Sequence, residues 1–309
     1  MIKQPKILVV GSINMDFILQ MERVPHRGET ILGKDYKLAP GGKGANQAVA
    51  ASRLDGQVTF VGRVGEDSNG KRLMTQLEEE DIDINYICVD TTSNTGLAVI
   101  MLEDSGDNRI VVYSGANMNI AMENVEKAFE KDYDAVLLQL EIADDIVLDT
   151  FKLAKEKGIP VVLDTAPARS IPLNEFKGID IISPNETEAT ALTGIEVNSF
   201  QSARQAAKVL QSLCDPKYVV IKMGSKGAMA FDCCNFLHIP AYNVDVVDTT
   251  AAGDAFTAAM AVEYIRSGDI KQAVEFANAV GALTVTKLGA QPSLPTRREV
   301  DKFIKQNIK

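Results

Sequence analysis

The sequence predicts an α/β fold of three layers, with a mostly parallel central sheet covered by helices on both faces. Short apolar, β-branched runs alternate with segments of helical period along most of the chain. The runs read as strands buried on both sides, the mark of a parallel sheet. Two further segments break the alternation and read as inserted β-hairpin material.

Strands are expected at 6–11, 58–61, 135–140, 160–163, 179–183 and 218–223. Helices are expected at 45–54, 70–80, 145–157, 202–213, 251–266 and 270–287. The first strand is Ile7-Leu8-Val9-Val10, closed by Gly11. The inserted segments are 16–38 and 95–113. The second carries Ala98-Val99-Ile100-Met101-Leu102, a turn over 103–108, then Arg109-Ile110-Val111-Val112-Tyr113. Ligands of such sheets bind at the carboxyl ends of the strands. Gly11 to Asn14, Glu141 and Asn185 all follow predicted strands, so they are expected on one rim.

The 309 residues are 46% hydrophobic and 24% charged, which is enough length and apolar content for one large core. The net charge of -10 argues against a nucleic-acid or anionic-membrane partner. An anionic ligand must then be met by local donors. No apolar run reaches the length of a membrane span, and the first apolar run is too short for a signal peptide. The expected location is cytoplasmic. Cys88, Cys214, Cys233 and Cys234 show no Cys-x-x-Cys spacing, and the histidines are His26 and His238. Neither zinc nor a disulfide framework is expected. Cys233 and Cys234 fall in a predicted strand, which would turn their thiols to opposite faces.

Chemistry concentrates in Asp248-Thr249-Thr250-Ala251-Ala252-Gly253-Asp254, which runs directly into an apolar helix. Small residues at a helix start leave backbone N–H groups open to an anion, and the helix dipole favours one there. Asp254 falls in the first turn beside that anion hole. A carboxylate so placed can receive the proton of a hydroxyl that takes a phosphoryl group. Taken alone, the run also fits an ordinary helix start with an acidic first turn. A second run, Ala39-Pro40-Gly41-Gly42-Lys43-Gly44-Ala45-Asn46-Gln47-Ala48, leads into another small-residue helix. Its glycines allow close approach of a ligand, and Lys43 and Asn46 supply donors for a polyhydroxylated one.

With these runs in place, the chain resembles the ribokinase-like (PfkB) family of carbohydrate kinases. The resemblance rests on Val9-Val10-Gly11-Ser12-Ile13-Asn14-Met15-Asp16, Gly28-Glu29-Thr30, the glycine run, and Gln139-Leu140-Glu141. It continues through Ala166-Pro167-Ala168, Pro184-Asn185-Glu186-Thr187-Glu188, Gly224-Ser225-Lys226-Gly227, the Asp254 run, and Gly289-Ala290-Gln291-Pro292-Ser293. It covers nearly the whole chain in colinear order. It implies a single kinase domain over 1–309, with segments 16–38 and 95–113 forming a small β-sheet lid. It also implies a homodimer through that lid, and transfer of a phosphoryl group from ATP to the 5-hydroxyl of D-ribose. Related kinases acting on 2-deoxyribose, another sugar or a nucleoside remain the alternative. The paired Asn14 and Asp16 favour a sugar with free hydroxyls, since unmatched polar groups would be left unpaired.

The resemblance also implies roles. Asp254 is the base, with Ala251, Ala252 and Gly253 in the anion hole. Asn14, Asp16, Gly42, Lys43, Asn46 and Glu141 hold the sugar. Asn185 and Glu188 organise Mg²⁺ and phosphates, an arrangement that also reads as a helix-capping pair. Lys222, Gly224, Ser225, Gly227, Gly253 and Asn278 meet the nucleotide. Asp248, Thr250, Thr284, Lys287, Gly289 and Ser293 hold K⁺ in an oxygen-only shell. Lys222 stands where relatives often carry Thr, and Asp164 where many carry Asn. An added carboxylate at 164 weakens nucleotide binding unless it faces away or meets a cation.

Other readings lack their motifs. A nicotinamide dehydrogenase wants Gly-x-Gly-x-x-Gly after the first strand, where this chain has Gly11-Ser12-Ile13-Asn14. A P-loop enzyme wants Gly-x-x-x-x-Gly-Lys-Ser/Thr, and the chain has none. A periplasmic-type sugar-binding protein shares the sugar groups but has no use for a base beside an anion hole.

Overall fold

The structure is a computed structural model that describes residues 4–169 and 171–307. The chain opens with β1 (Lys6–Val10), then leaves the main sheet for β2 (Asn14–Met21) and β3 (Asp35–Gly41). It returns through α1 (Lys43–Arg53), β4 (Gln57–Gly65), α2 (Ser68–Glu79) and β5 (Asp83–Asp90). A second excursion forms β6 (Gly96–Glu103) and β7 (Asn108–Tyr113). The main sheet resumes with α3 (Met122–Ala128), β8 (Ala135–Leu138), α4 (Asp144–Glu156), β9 (Val161–Asp164) and β10 (Ile181–Ser183). Next come α5 (Glu186–Thr193), α6 (Phe200–Cys214), β11 (Tyr218–Lys222), β12 (Ala228–Phe231) and β13 (Phe236–Ile239). The chain closes with α7 (Ala252–Ser267), α8 (Ile270–Thr284) and α9 (Arg297–Asn307).

Among the described residues the larger sheet has nine strands in the order β13-β12-β11-β10-β9-β8-β1-β4-β5. Its strands are parallel except for the antiparallel β11-β12 and β12-β13 pairs. Side chains alternate between two buried faces, as the strand period requires. Ile7 and Val9 join a core with residues of α1, α2, α7 and α8, while Leu8 and Val10 join one with residues of α3, α4 and α6. That is the expected three-layer arrangement. From β1 the strand order runs to β4 and β5 on one side and to β8 on the other. This reversal is the topological switch point where ligands of such sheets bind.

The smaller sheet is β3-β2-β6-β7. Its outer pairs are antiparallel, but the two excursions meet along a parallel β2-β6 pair. That long-range register leaves no local trace in the sequence.

One expectation fails. Cys233 and Cys234 do not lie in a strand. They form the turn between β12 and β13, with Cys233 at φ 68 and the two Sγ atoms 3.5 Å apart. The Asp232 carboxylate caps this turn by accepting from the N–H groups of Cys234 and Asn235.

Candidate active site

The site begins where β1 and β8 end. Ser12 Oγ donates to Glu141 Oε2 at 2.6 Å, and the Lys43 N–H reaches the same oxygen at 3.1 Å. Glu141 therefore ties the switch point to the start of α1. It does not cap the following helix, whose N-cap is Ala143 without a side-chain bond. Gly42 is the N-cap of α1 at φ 89, a conformation that favours glycine. A Cβ there would stand 2.7 Å from the Asn14 nitrogen.

Asn14 and Asp16 lie two apart on β2 and so share one face. Asn14 Oδ1 accepts from Asn117 Nδ2 at 2.7 Å, and Asn117 Oδ1 accepts from the Ile13 N–H at 2.9 Å. Asn117 is buried and clamps the Asn14 amide together with the Ile13 backbone. Sequence reasoning misses it, because it sits in a 3₁₀ turn about a hundred residues downstream. Gly96 faces the Asn14–Asn117 amide pair, which fills the space a side chain at 96 would need.

Asp254 is 5% exposed in the first turn of α7, so both its oxygens depend on protein partners. Asn46 Nδ2 donates to Oδ2 at 2.9 Å, and Gln47 Nε2 approaches Oδ1 at 3.4 Å. Gln47 is oriented in turn by Gln139, whose Nε2 donates to Gln47 Oε1 at 2.7 Å. Asn46 Oδ1 is buried without a hydrogen-bond partner. A buried acceptor left unpaired in a native site calls for a partner.

Charge crowds this end. Burial raises Asp16 to about 7, helped by Glu141 and Asp254 and opposed by Lys43. Burial likewise raises Asp254 to about 6, with Lys43 and the Asn46 hydrogen bond opposing and Asp164 and Glu141 adding. For Lys43, burial alone would lower the pKa. The carboxylates of Asp254, Asp164, Glu141 and Glu188 outweigh it and hold the ammonium above its ordinary range.

The start of α7 offers fewer free N–H groups than the sequence predicts. Ala251 is the N-cap of α7 at φ 60, a left-handed conformation uncommon outside glycine. The Ala252 N–H donates to Thr249 O at 3.2 Å, so it is committed. The N–H groups of Gly253 and Asp254 lie in the first turn, where no intrahelical acceptor reaches them.

Across this helix start lies a cleft of about 350 Å³. Its lining includes Lys222, Gly224, Ser225, Gly227, Gly253 and Asn278. Tyr242, Val246, Phe256 and Ala282 add apolar wall. Asn278 lines it, but its amide nitrogen is spent on the carbonyls of Ile239 and Pro240 at 3.1 Å each. It holds the loop after β13 in place.

Asn185 and Glu188 form the capping box read in the sequence. The Glu188 N–H donates to Asn185 Oδ1 at 2.8 Å and the Asn185 N–H to Glu188 Oε2 at 2.9 Å. Thr165 Oγ1 adds a bond to Glu188 Oε2 at 3.1 Å. Asn185 pairs with Lys222 in an isolated parallel bridge, which brings the box to the edge of the cleft.

Asp248 ties two loops together. Its Oδ1 accepts from the Thr250 N–H at 2.9 Å and from the Thr250 hydroxyl, and its Oδ2 from the Gly289 N–H at 2.8 Å. Thr284 and Ser293 are fully buried, and Ser293 Oγ donates to Ala290 O at 2.7 Å. The Lys287 N–H bonds to Thr284 O at 3.3 Å. Of the six residues expected around K⁺, Asp248 ties Thr250 to Gly289, Lys287 bonds back to Thr284 at the end of α8, and Ser293 sits in a 3₁₀ turn.

The two departures meet each other. Lys222 Nζ stands 3.1 Å from Asp164 Oδ1, and both residues are buried. The carboxylate at 164 has its cation, and the lysine is anchored by the carboxylate.

The chain belongs to the pfkB family of carbohydrate kinases, whose model matches residues 4–297. Within that family the chain is similar to ribokinases. The ribokinase of Haemophilus influenzae is 39% identical over 96% of this chain and 98% of its own length. The structure of Arabidopsis thaliana ribokinase complexed with ribose and ATP superposes with a TM-score of 0.91 at 38% identity, covering 98% of this chain and 99% of that one. A deoxyribokinase of Salmonella typhi is 34% identical over 97% of this chain and 99% of its own length. No helix among the described residues is long and apolar enough to cross a membrane.

Proposed function

We propose that this chain transfers the γ-phosphoryl group of ATP to the 5-hydroxyl of D-ribose, giving D-ribose 5-phosphate and ADP. The observation that carries the reading is the position of Asp254. It is bonded to Asn46 on the sugar side and sits in the first turn of the helix whose start opens to the nucleotide cleft.

Asn14, Asp16, Gly42, Lys43, Asn46 and Glu141 hold the sugar. The unpaired Asn46 Oδ1 accepts from a ribose hydroxyl. The 5-hydroxyl oxygen forms a bond to the γ-phosphorus, the bond to the β,γ-bridging oxygen breaks, and ADP leaves with that electron pair. Asp254 takes the hydroxyl proton, late in a loose transition state. Its raised pKa of about 6 makes it a better base at neutral pH than an ordinary aspartate. The open N–H groups of Gly253 and Asp254 meet charge on the transferring group.

The nucleotide lies in the cleft lined by Gly224, Ser225 and Gly227. Mg²⁺, bound with the nucleotide, supplies neutralising charge. Asn185 and Glu188 offer hard oxygen donors and suit an ion that keeps most of its waters. K⁺ fits the carboxylate, hydroxyl and carbonyl oxygens of the loops joined by Asp248, and its role there is to fix the helix start. The smaller sheet, whose strands lie within 14–41 and 96–113 rather than the expected 16–38 and 95–113, acts as a lid within one domain. Val111 is 60% and Val112 48% exposed on opposite faces of β7, so the lid offers apolar surface to a second copy. Light scattering reads whether the chain is a homodimer.

The test is ADP release with Mg-ATP, with and without K⁺, over ribose, 2-deoxyribose, fructose and adenosine. Turnover is expected on ribose, rising with K⁺. Asp254→Asn lowers kcat by about 10³-fold or more. Preference for 2-deoxyribose would reassign the acceptor and leave the mechanism standing. No turnover on any of them would refute the reading.

A further inference from the structure

Asp164 adds to the field on Asp254, but its ion pair with Lys222 has no part in the steps above. Asp164 ends β9 and Lys222 ends β11. Asp164 Oδ2 accepts from Gln47 Nε2 and from Thr257 Oγ1, each at 3.0 Å. Asp164 Oδ1 accepts from Lys222 Nζ at 3.1 Å, and the ammonium also reaches Thr257 Oγ1 at 3.4 Å. The carboxylate is 1% exposed. An ion pair buried so deeply is a weak source of stability, because desolvation offsets most of the attraction. Its placement points elsewhere.

Lys222 is the one charged side chain lining the nucleotide cleft among the described residues. Its Nζ lies 3.7 Å from where a Cβ on Gly253 would stand, against the open first turn of α7. Its backbone N–H bonds to Pro184 O at 2.8 Å, and the residue pairs with Asn185. The ammonium therefore stands beside Gly253 in the open first turn of α7, on a strand end whose backbone pairs with Asn185. A lysine has three donors, and the protein uses two of them on Asp164 and Thr257.

We propose that Lys222 gives its third N–H to the transferring phosphoryl group, and that Asp164, fixed by Gln47 and Thr257, is the positioning residue that aims it. The proposal rests on the kinase reading of the same site. The rival is that Lys222 only neutralises Asp164, and the two accounts differ in what happens when both charges go.

The experiment compares wild type, Lys222→Met, Asp164→Asn and the double variant as full chains. It measures kcat, KM for ribose and thermal unfolding. Calorimetry adds the binding of ADP and of a non-hydrolysable ATP analogue. Lys222→Met is expected to lower kcat by about 10²-fold, the scale of losing one electrostatic donor to a transition state. Its KM for ribose stays put, and affinity falls more for the ATP analogue than for ADP. The double variant stays as slow as Lys222→Met. Recovery of wild-type kcat in the double variant, or unchanged kcat and analogue affinity in Lys222→Met, would overturn the proposal. If Lys222→Met fails to fold around an unpaired carboxylate, the double variant has no such charge and carries the test. If the wild type phosphorylates no sugar, the kinase reading fails, while the analogue-versus-ADP comparison still reports on Lys222.

Discussion

At the proposed sugar end of the site the protein presents a crowd of polar side chains, and at the proposed nucleotide end it presents backbone, apolar wall and a single ammonium, Lys222. Asn14, Asp16, Lys43, Asn46, Glu141 and Asp254 gather at the first end, with Asp16 and Asp254 pushed up by burial. At the second, Gly224, Ser225 and Gly227 turn the chain after β11, and Val246, Phe256 and Ala282 line the wall. The difference follows from the ligands. A small sugar offers only hydroxyls, so discrimination needs matched polar side chains. A nucleotide offers a large flat base and a charged tail, which apolar surface and a helix N-terminus can hold. Substitutions should therefore cost most at the first end.

The largest effect on this comparison is expected from Gly42→Ala. The new Cβ meets the Asn14 nitrogen at 2.7 Å, in a left-handed conformation. It should lower kcat/KM for the sugar by about 10²-fold, the scale of a misplacement near 1 Å. KM for ATP should hold. Equal damage to both substrates in steady-state kinetics would erase the distinction between the two ends.

Asp16→Asn sharpens it through pH. Asp16 is raised to about 7 from an ordinary value of 3.8, so the folded state holds its proton more tightly than the unfolded one. That contribution to stability is fully present below the unfolded pKa and is lost as pH rises through 7. Asp16→Asn should then raise the unfolding midpoint of the free protein by a few degrees at pH 8 and by nothing at pH 3.5. In the wild type, kcat/KM for ribose should fall with decreasing pH through about 7 and again through about 6, where Asp254 protonates. The variant should keep only the lower inflection, at a reduced plateau. A profile that keeps both would show that Asp16 is not the group titrating near 7.

The smallest effect is expected from Val246→Ala on the cleft wall. Val246 is well exposed and lines the nucleotide side. Loss of its two methyls should raise KM for ATP by about fivefold, the scale of roughly 1 kcal/mol of apolar contact. KM for ribose should not move. A change of 10²-fold would make this end as specific as the other.

What could be read in advance follows the same divide. Asp254, Lys43 and Asn46 sit in short runs whose spacing encodes a glycine turn and a helix start, so each run states its own chemistry. Asn117 stands in a 3₁₀ turn like many others, and only the fold shows it clamping Asn14. The β12–β13 hairpin was hidden because its short strands flank Cys233 and Cys234, which read as strand and form the turn. Ala252 looked like an anion-hole donor because a sequence cannot show that its N–H is already given to Thr249.

The sequence by itself determined the layers, the buried strands, the two glycine-led helix starts and the family to which they belong. All of these depend on period and local backbone preference, which act within a few residues. The tertiary structure alone decided how those pieces meet. It set the parallel join of β2 with β6, the Asn117 clamp, and the tie of Asp248 to Gly289. It also joined Asp164 to Lys222 across 58 residues of chain. Each is a contact between distant segments whose strength comes from burial and exact reach, and neither quantity exists until the chain has folded.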